Sequence, residues 1–355
     1  MSRFLAKAPS SLLPYTPGEQ PQDKQYIKLN TNESPFPPSP KVLGAISQNE
    51  CKDLRLYSDP DLKSLSKSLA EYYGLETNQV ICSNGSDEVL SLAFFAWGTD
   101  CGVAFADITY GFYPVFSQFY GIDVKIVPLK EDFSILPQDY YNCGRMVVIA
   151  NPNAPTGLLL SVDDIEKIAL NNPDNVVVVD EAYIDFGGNS ALPLINKYKN
   201  ILVVRTFSKS RQLAGARLGF AMGDKELIAD LNRLKFSFNP YNVNRLTAVA
   251  GKAAIEDDEW FNETRLKIID NRNYTTENLR KLGFDVIESS ANFVFAKSNK
   301  IDGEKLYLSL KEKGILVRHF GLERIKDYVR ITIGDKNQME ALISAIKKIL
   351  QEGSL

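Results

Sequence analysis

The sequence predicts an α/β fold in which a large domain with a mostly parallel sheet is joined to a smaller α+β domain. Three observations predict it. Apolar, β-branched runs such as Val176-Val177-Val178-Val179 alternate with helix-like stretches through the middle of the chain, the pattern of strands buried on both faces. After about residue 245 that alternation gives way to a long helical stretch, a few strands and a terminal helix. At 355 residues the chain is also longer than one core usually serves. The expected organisation is an N-terminal arm with part of the small domain over 1–45, a large domain over 46–245 and a small domain over 246–355.

Each element has its own signal. Seven prolines between Pro14 and Pro40 rule out a regular helix or central strand at the start and predict an extended arm. Leu62, Leu65 and Leu69, followed by Tyr72-Tyr73-Gly74, have helical spacing with a glycine stop. Strands are expected at Val80-Ile81-Cys82, Gly102–Phe105, Val124–Val127, Met146–Ile149, Val176–Asp180 and Ile201–Val204. Helices are expected near 86–97, 110–120 and 161–171. In the last third a helical stretch over about 244–281 is followed by strands at Val286-Ile287, Phe293–Ala296 and Tyr328–Ile333, and by helices near 303–313 and 336–351.

Composition narrows the function. A net charge of -3, with no basic run, gives no footprint for nucleic acid. No run of about eighteen apolar residues suggests a membrane span, and the first residues do not read as a secretory signal. Four scattered cysteines without a C-x-x-C argue against zinc or a disulfide framework and for a reduced cytoplasm. The single histidine, His319, nearly excludes a two-histidine metal site, and no metal is expected. No G-x-S-x-G elbow accompanies it.

Four strand ends carry suggestive residues, and ligands of α/β sheets bind at such ends. Ser83-Asn84-Gly85-Ser86-Asp87 is a glycine turn opening a helix, which suits a phosphate; Ser86 as a plain N-cap is the simpler reading. Asn151-Pro152-Asn153-Ala154-Pro155-Thr156-Gly157 reads locally as a Pro/Gly turn. Asp180, ending four valines, needs a partner for its buried charge, which could be a protonated ring nitrogen, a metal or an ion pair. Lys209, in Thr206-Phe207-Ser208-Lys209-Ser210 with Arg217 beyond, is either a desolvated amine able to form a Schiff base or a solvated surface lysine.

Taken together, these motifs resemble the aspartate-aminotransferase superfamily, the type I fold of pyridoxal-phosphate enzymes: a glycine turn, an N-P-T-G loop, D-x-x-Y, then S-K with a following arginine. Leu13–Pro21, Lys28–Pro35, Leu54–Tyr57, Asp180–Tyr183 and Tyr328–Gly334 resemble the histidinol-phosphate aminotransferase family within it. The resemblance implies transamination between histidinol phosphate and 2-oxoglutarate or glutamate, with pyridoxal 5′-phosphate as cofactor. Lys209 is then the Schiff-base and proton-shuttling lysine, Asp180 the partner of the ring nitrogen, and Tyr183 a hydrogen-bond partner of the phenolic oxygen. Tyr110 stacks on the ring. Ser208, Arg217, Thr206 and the N–H groups of Ser86 and Asp87 bind the phosphate. Tyr57 reaches that phosphate from a second copy, so a homodimer with composite sites is implied. Tyr15, Asn32, Arg318 and Arg330 are the expected substrate contacts. One departure stands out: the asparagine of N-P-T-G falls on Ala154, and Asn153, one position earlier, is carried as its substitute. An aromatic amino-acid aminotransferase and a phosphothreonine-type decarboxylase are the neighbouring readings, and a non-catalytic cofactor-binding regulator is the distant one.

Overall fold

The computed structural model describes residues 4–352. Its strands, in chain order, are β1 (Ile27–Lys28), β2 (Val80–Asn84), β3 (Val103–Ala106), β4 (Val124–Val127), β5 (Met146–Ala150), β6 (Val177–Asp180), β7 (Ile201–Thr206), β8 (Leu218–Gly223), β9 (Phe284–Ile287), β10 (Phe293–Ser298), β11 (Ile315–Leu316), β12 (Arg318–His319) and β13 (Tyr328–Thr332). Seven of them form one sheet in the order β2-β8-β7-β6-β5-β3-β4. Neighbours pair in parallel except at β8, which runs against both β2 and β7. This is the mostly parallel sheet that the β-branched runs predict.

Residues alternate between the two faces of this sheet, as a period of two requires. Val147, Ile149, Val177, Val179, Ile201 and Val203 pack on one face with Leu65, Leu69, Ile165 and Ile168 from flanking helices. Met146, Val148, Val178, Leu202 and Val204 pack on the other with Val89, Leu90, Phe116, Ile228 and Leu231. Burying each such side chain is worth roughly 1.5–3 kcal/mol, so the central strands are fixed by both faces at once.

The second sheet is antiparallel, in the order β12-β13-β10-β9. Its outer face packs Val294, Val329 and Ile331 against Ile268, Leu306, Leu342 and Ile346 from three helices. From the opposite face Phe295 and Tyr328 pack against Ala106, Ile108 and Phe133 of the large sheet's side. The helical stretch expected over 244–281 is two helices, Arg245–Ile255 and Asp258–Lys281. Asn244 caps the first through Thr247 N (2.9 Å), and the chain leaves helical geometry at Asp257 (φ -115°, ψ 69°).

The proline-rich start is extended but not loose. β1 pairs in parallel with β11, and Leu29, 1% exposed, donates its N–H to Leu316 O and accepts from Thr332 N at its carbonyl. No helix among the described residues is long and apolar enough to cross a membrane.

Candidate active site

The ends of β2, β3, β5, β6 and β7 lie along one edge of the large sheet. β8 runs the other way, so its beginning reaches the same edge: Leu218 is opposite Asn84, and Gly219 opposite Thr206. That brings Arg217 beside the glycine turn although 130 residues separate it from Asp87. The corner is tight. A Cβ on Gly219 would run into the backbone of Gly85 and Ser86, and one on Gly85 would meet the Arg217 guanidinium. Gly85 also has φ 77°, which glycine adopts without strain.

Helix Ser86–Ala93 begins here without a side-chain cap, so its first N–H groups and the positive end of its dipole face the corner. Asp87 accepts from Tyr110 Oη (2.7 Å) and from Arg217 (3.1 Å), fixing both. Across the corner, Thr206 Oγ1 donates to Ser208 Oγ (2.9 Å) and accepts from Ser208 N (3.1 Å). A helix N-terminus, a guanidinium and two hydroxyls make a site for a phosphate.

Next to this corner the pocket is lined by Tyr110, Ala154, Asp180, Tyr183 and Lys209. The Lys209 ammonium lies 5.8 Å from the centre of the Tyr183 ring. Asp180 is buried and accepts from Tyr113 Oη (2.8 Å) and Ala182 N (3.2 Å). Burial pushes its carboxyl up from 3.8 to about 6, and those two hydrogen bonds oppose the shift without cancelling it. In the cofactor-free protein this group therefore stabilises the fold fully below pH 3.8, and that stability is lost as pH rises through about 6. Asp180→Asn should flatten the fall of the cofactor-free thermal midpoint across that window. Parallel curves for the two proteins would refute the assignment.

The pocket opens into a cleft of about 530 Å³ between the sheets, lined by Tyr15, Asn32, Arg318 and Arg330. Arg318 and Arg330 are directly opposed across β12 and β13, a pairing of like charges that costs stability by itself. Arg330 lies between the rings of Phe293 (5.4 Å) and Phe320 (5.6 Å) and donates to Asn30 O (3.0 Å). Its Nε is buried with no partner among the described residues. Burial presses its guanidinium below the ordinary arginine range, and Arg318 adds to the shift. An anion in the cleft would relieve both effects. Arg318 also holds the arm, donating to Thr16 O and Pro17 O. Glu19, gripped by Lys311 and Tyr307, ties the arm to helix Gly303–Glu312 and keeps Tyr15 at the mouth against Phe112 (4.5 Å between ring centres).

Of the residues expected from sequence, Ser86, Asp87, Tyr110, Asp180, Tyr183, Thr206, Ser208, Lys209 and Arg217 line one pocket. Tyr15, Asn32, Arg318 and Arg330 line the adjoining cleft. Tyr57 is 80% exposed and stacks on Tyr241 (4.6 Å) outside that lining. Asn153 requires correction. Its amide donates to Ile108 O (2.9 Å) and Thr156 Oγ1 (3.1 Å), and its carbonyl accepts from Thr109 (2.9 Å). These bonds lock the loop's conformation, and the side chain that faces the pocket is Ala154.

Two features escaped the sequence reading. Tyr113 supports Asp180 and lies three residues beyond Tyr110, but nothing in T-Y-G-F-Y says which tyrosine turns inward. The second is a buried ion cluster: Arg205 bonds Glu181 (2.9 Å) and Asp185 (2.9 Å), and Ser210 donates to Asp185 (2.5 Å). It fixes the chain on both sides of Lys209, and its members are satisfied by further bonds from Ser190 and Ala191 N, as a buried pair requires.

Residues 24–346 match the family model described as aminotransferase class I and II. The chain is 53% identical over 355 residues to the histidinol-phosphate aminotransferase of Marinomonas sp. (strain MWYL1), covering 98% of this chain and 100% of that one. It is 49% identical over 353 residues to the enzyme of the same name from Clostridium botulinum (strain Kyoto / Type A2), covering 99% and 100%. The structure of histidinol-phosphate aminotransferase from Sinorhizobium meliloti in complex with pyridoxal-5′-phosphate superposes with a TM-score of 0.88 at 24% identity, covering 99% of both chains. The chain belongs to the class I and II aminotransferases, enzymes that work through pyridoxal 5′-phosphate.

Proposed function

We propose that this protein transfers the amino group of histidinol phosphate to 2-oxoglutarate, forming glutamate, as a homodimer in the cytoplasm. The observation that carries the substrate reading is the opposed pair Arg318 and Arg330 at the mouth of the Lys209 pocket, with a buried guanidinium N–H left without a partner. Histidinol phosphate brings a phosphate and no carboxylate; glutamate brings two carboxylates. A guanidinium takes either anion through the same planar fork. The names of the curated relatives support the same substrate.

The residues present fit pyridoxal 5′-phosphate. Ser86 and Asp87 N–H groups, Thr206, Ser208 and Arg217 would hold its phosphate, Tyr110 would cover its ring, and Lys209 would carry it. The cofactor supplies a carbonyl for the amine and a ring that withdraws electrons from the bond to be broken. Asp180 would hold a proton at the ring nitrogen; burial makes its charge costly by itself, and a cationic ring nitrogen would offset that cost. The Lys209 amine, freed when substrate takes its place, moves the substrate's α-proton. Tyr183 donates to the ring's phenolic oxygen. Tyr57, exposed here, serves the pocket of a second copy.

Arg330→Lys keeps the charge and loses the fork. It should lower kcat/KM for histidinol phosphate and for glutamate alike, each by about 10- to 100-fold. A loss confined to histidinol phosphate would mean separate anion sites. The substrate itself is tested by assaying histidinol phosphate, phenylalanine and phosphothreonine side by side. A higher kcat/KM for phenylalanine would place the enzyme in aromatic amino-acid metabolism, and release of CO₂ from phosphothreonine would make it a decarboxylase.

A further inference from the structure

Asn32 is 2% exposed and has a left-handed backbone, φ 55°. Its N–H donates to Thr332 Oγ1 (2.9 Å), its Oδ1 accepts from the same hydroxyl (3.1 Å), and its carbonyl accepts from the Asn292 amide (3.0 Å). These bonds fix which way the side-chain amide points, because the Thr332 proton needs an acceptor and Oδ1 provides it. The remaining group, Nδ2, donates to Tyr183 Oη at 2.9 Å. An amide nitrogen can only donate. The Tyr183 oxygen therefore accepts from Asn32, and its own proton is directed elsewhere, into the pocket that Tyr183 lines with Lys209. On the loop side of that pocket stands Ala154, a methyl group with nothing to donate.

We propose that Asn32 is a positioning residue that makes Tyr183 an obligate hydrogen-bond donor into the Lys209 pocket, supplying from the arm the amide that the loop lacks at Ala154. This gives Asn32 a task toward the cofactor, where the sequence suggested a contact with substrate. The inference rests on the cofactor reading above.

A donor to the ring's phenolic oxygen favours the state in which that oxygen carries most negative charge, the state that has lost the neighbouring proton. Weakening the donor therefore raises the pH midpoint of the bound cofactor's absorbance change. The charged and titratable groups that face Tyr183 are Lys209, Arg330, Tyr110, Tyr113 and Asp180. None of them is altered by a change at Asn32.

The test uses the cofactor-loaded protein. Asn32→Gly removes the amide and keeps a residue at ease with a positive φ. It should raise the absorbance midpoint by about half a pH unit or more, the size expected for one hydrogen bond. Adding Ala154→Asn to Asn32→Gly should move the midpoint back toward wild type. In a Tyr183→Phe background Asn32→Gly should add nothing, because the amide has lost its target. Thr332→Val, which leaves Asn32 in place and frees its amide, should shift the midpoint in the same direction by less. Cofactor bound with an unmoved midpoint in both Asn32→Gly and Thr332→Val would overturn this inference alone. So would a change confined to the KM for the phosphate substrate, or a shift in Asn32→Gly that persists unchanged in the Tyr183→Phe background. A wild-type protein without cofactor absorbance would overturn the cofactor reading, and this inference with it.

Discussion

Lys209→Ala should abolish turnover, lowering kcat by at least about 10⁴-fold, because in the proposed mechanism one side chain both carries the cofactor and moves the proton. Borohydride treatment of the wild-type protein should fix the cofactor to the peptide that contains Lys209. The variant should bind the cofactor only by its phosphate and ring contacts and lose it on dialysis. Most of the anion corner, Ser86, Asp87 and Arg217, is built at the ends of β2 and β8 and not of β7, so the variant should fold with an unchanged far-UV spectrum. A borohydride label on any other lysine would displace the whole assignment, since Lys209 is the lysine that lines this pocket.

Asp180→Ala should cost about 10³-fold in kcat, on the scale of losing a preorganised electrostatic partner in a buried site. Two effects combine. On the proposed role, the ring nitrogen would lose the carboxylate that keeps its proton, and a neutral ring is a poorer electron sink. The Tyr113 hydroxyl, which donates to Asp180 at 2.8 Å, loses its buried acceptor. The second effect distinguishes Asp180→Ala from Asp180→Asn, which retains an acceptor for Tyr113; the asparagine variant should be the more stable of the two and still nearly inactive. KM should change far less than kcat in both. Near-normal kcat in Asp180→Ala would show that another group protonates the ring.

The strands were legible from sequence because Val177–Asp180 and Ile201–Thr206 are buried on both faces, so their positions are apolar up to Val179 in the first and up to Val204 in the second. The same contrast exposed Asp180: a carboxylate directly after four valines has nowhere to be but the rim of the sheet. Lys209 and Arg217 were legible as neighbours of an anion site, but their meeting with the glycine turn only through resemblance, because it depends on β8 running backwards, and no local pattern announces strand direction. Tyr113 and the Arg205–Glu181 pair were hidden for the same reason. Their partners lie 67 and 24 residues away, and a tyrosine inside an apolar helix looks the same whether its hydroxyl meets a carboxylate or solvent. Asn153 failed differently. Sequence places it one position from Ala154, but the chain turns at 154–156, so the two side chains take different directions, and the loop uses Asn153 to hold itself together. Asn32 was found as a residue of the cleft, but its bond to Tyr183 was hidden, since only the folded arm brings the two together.

The parallel pairing of β1 with β11 sets the order in which the molecule can mature. Asn32 is synthesised 300 residues before Thr332, which anchors it. The large sheet, from β2 to β8, can close while that early segment is still waiting. Contacts of such long separation form late. On the proposed role of Asn32, the nascent chain should acquire its anion corner and its lysine before Tyr183 is oriented, with the pocket complete once β13 takes its place.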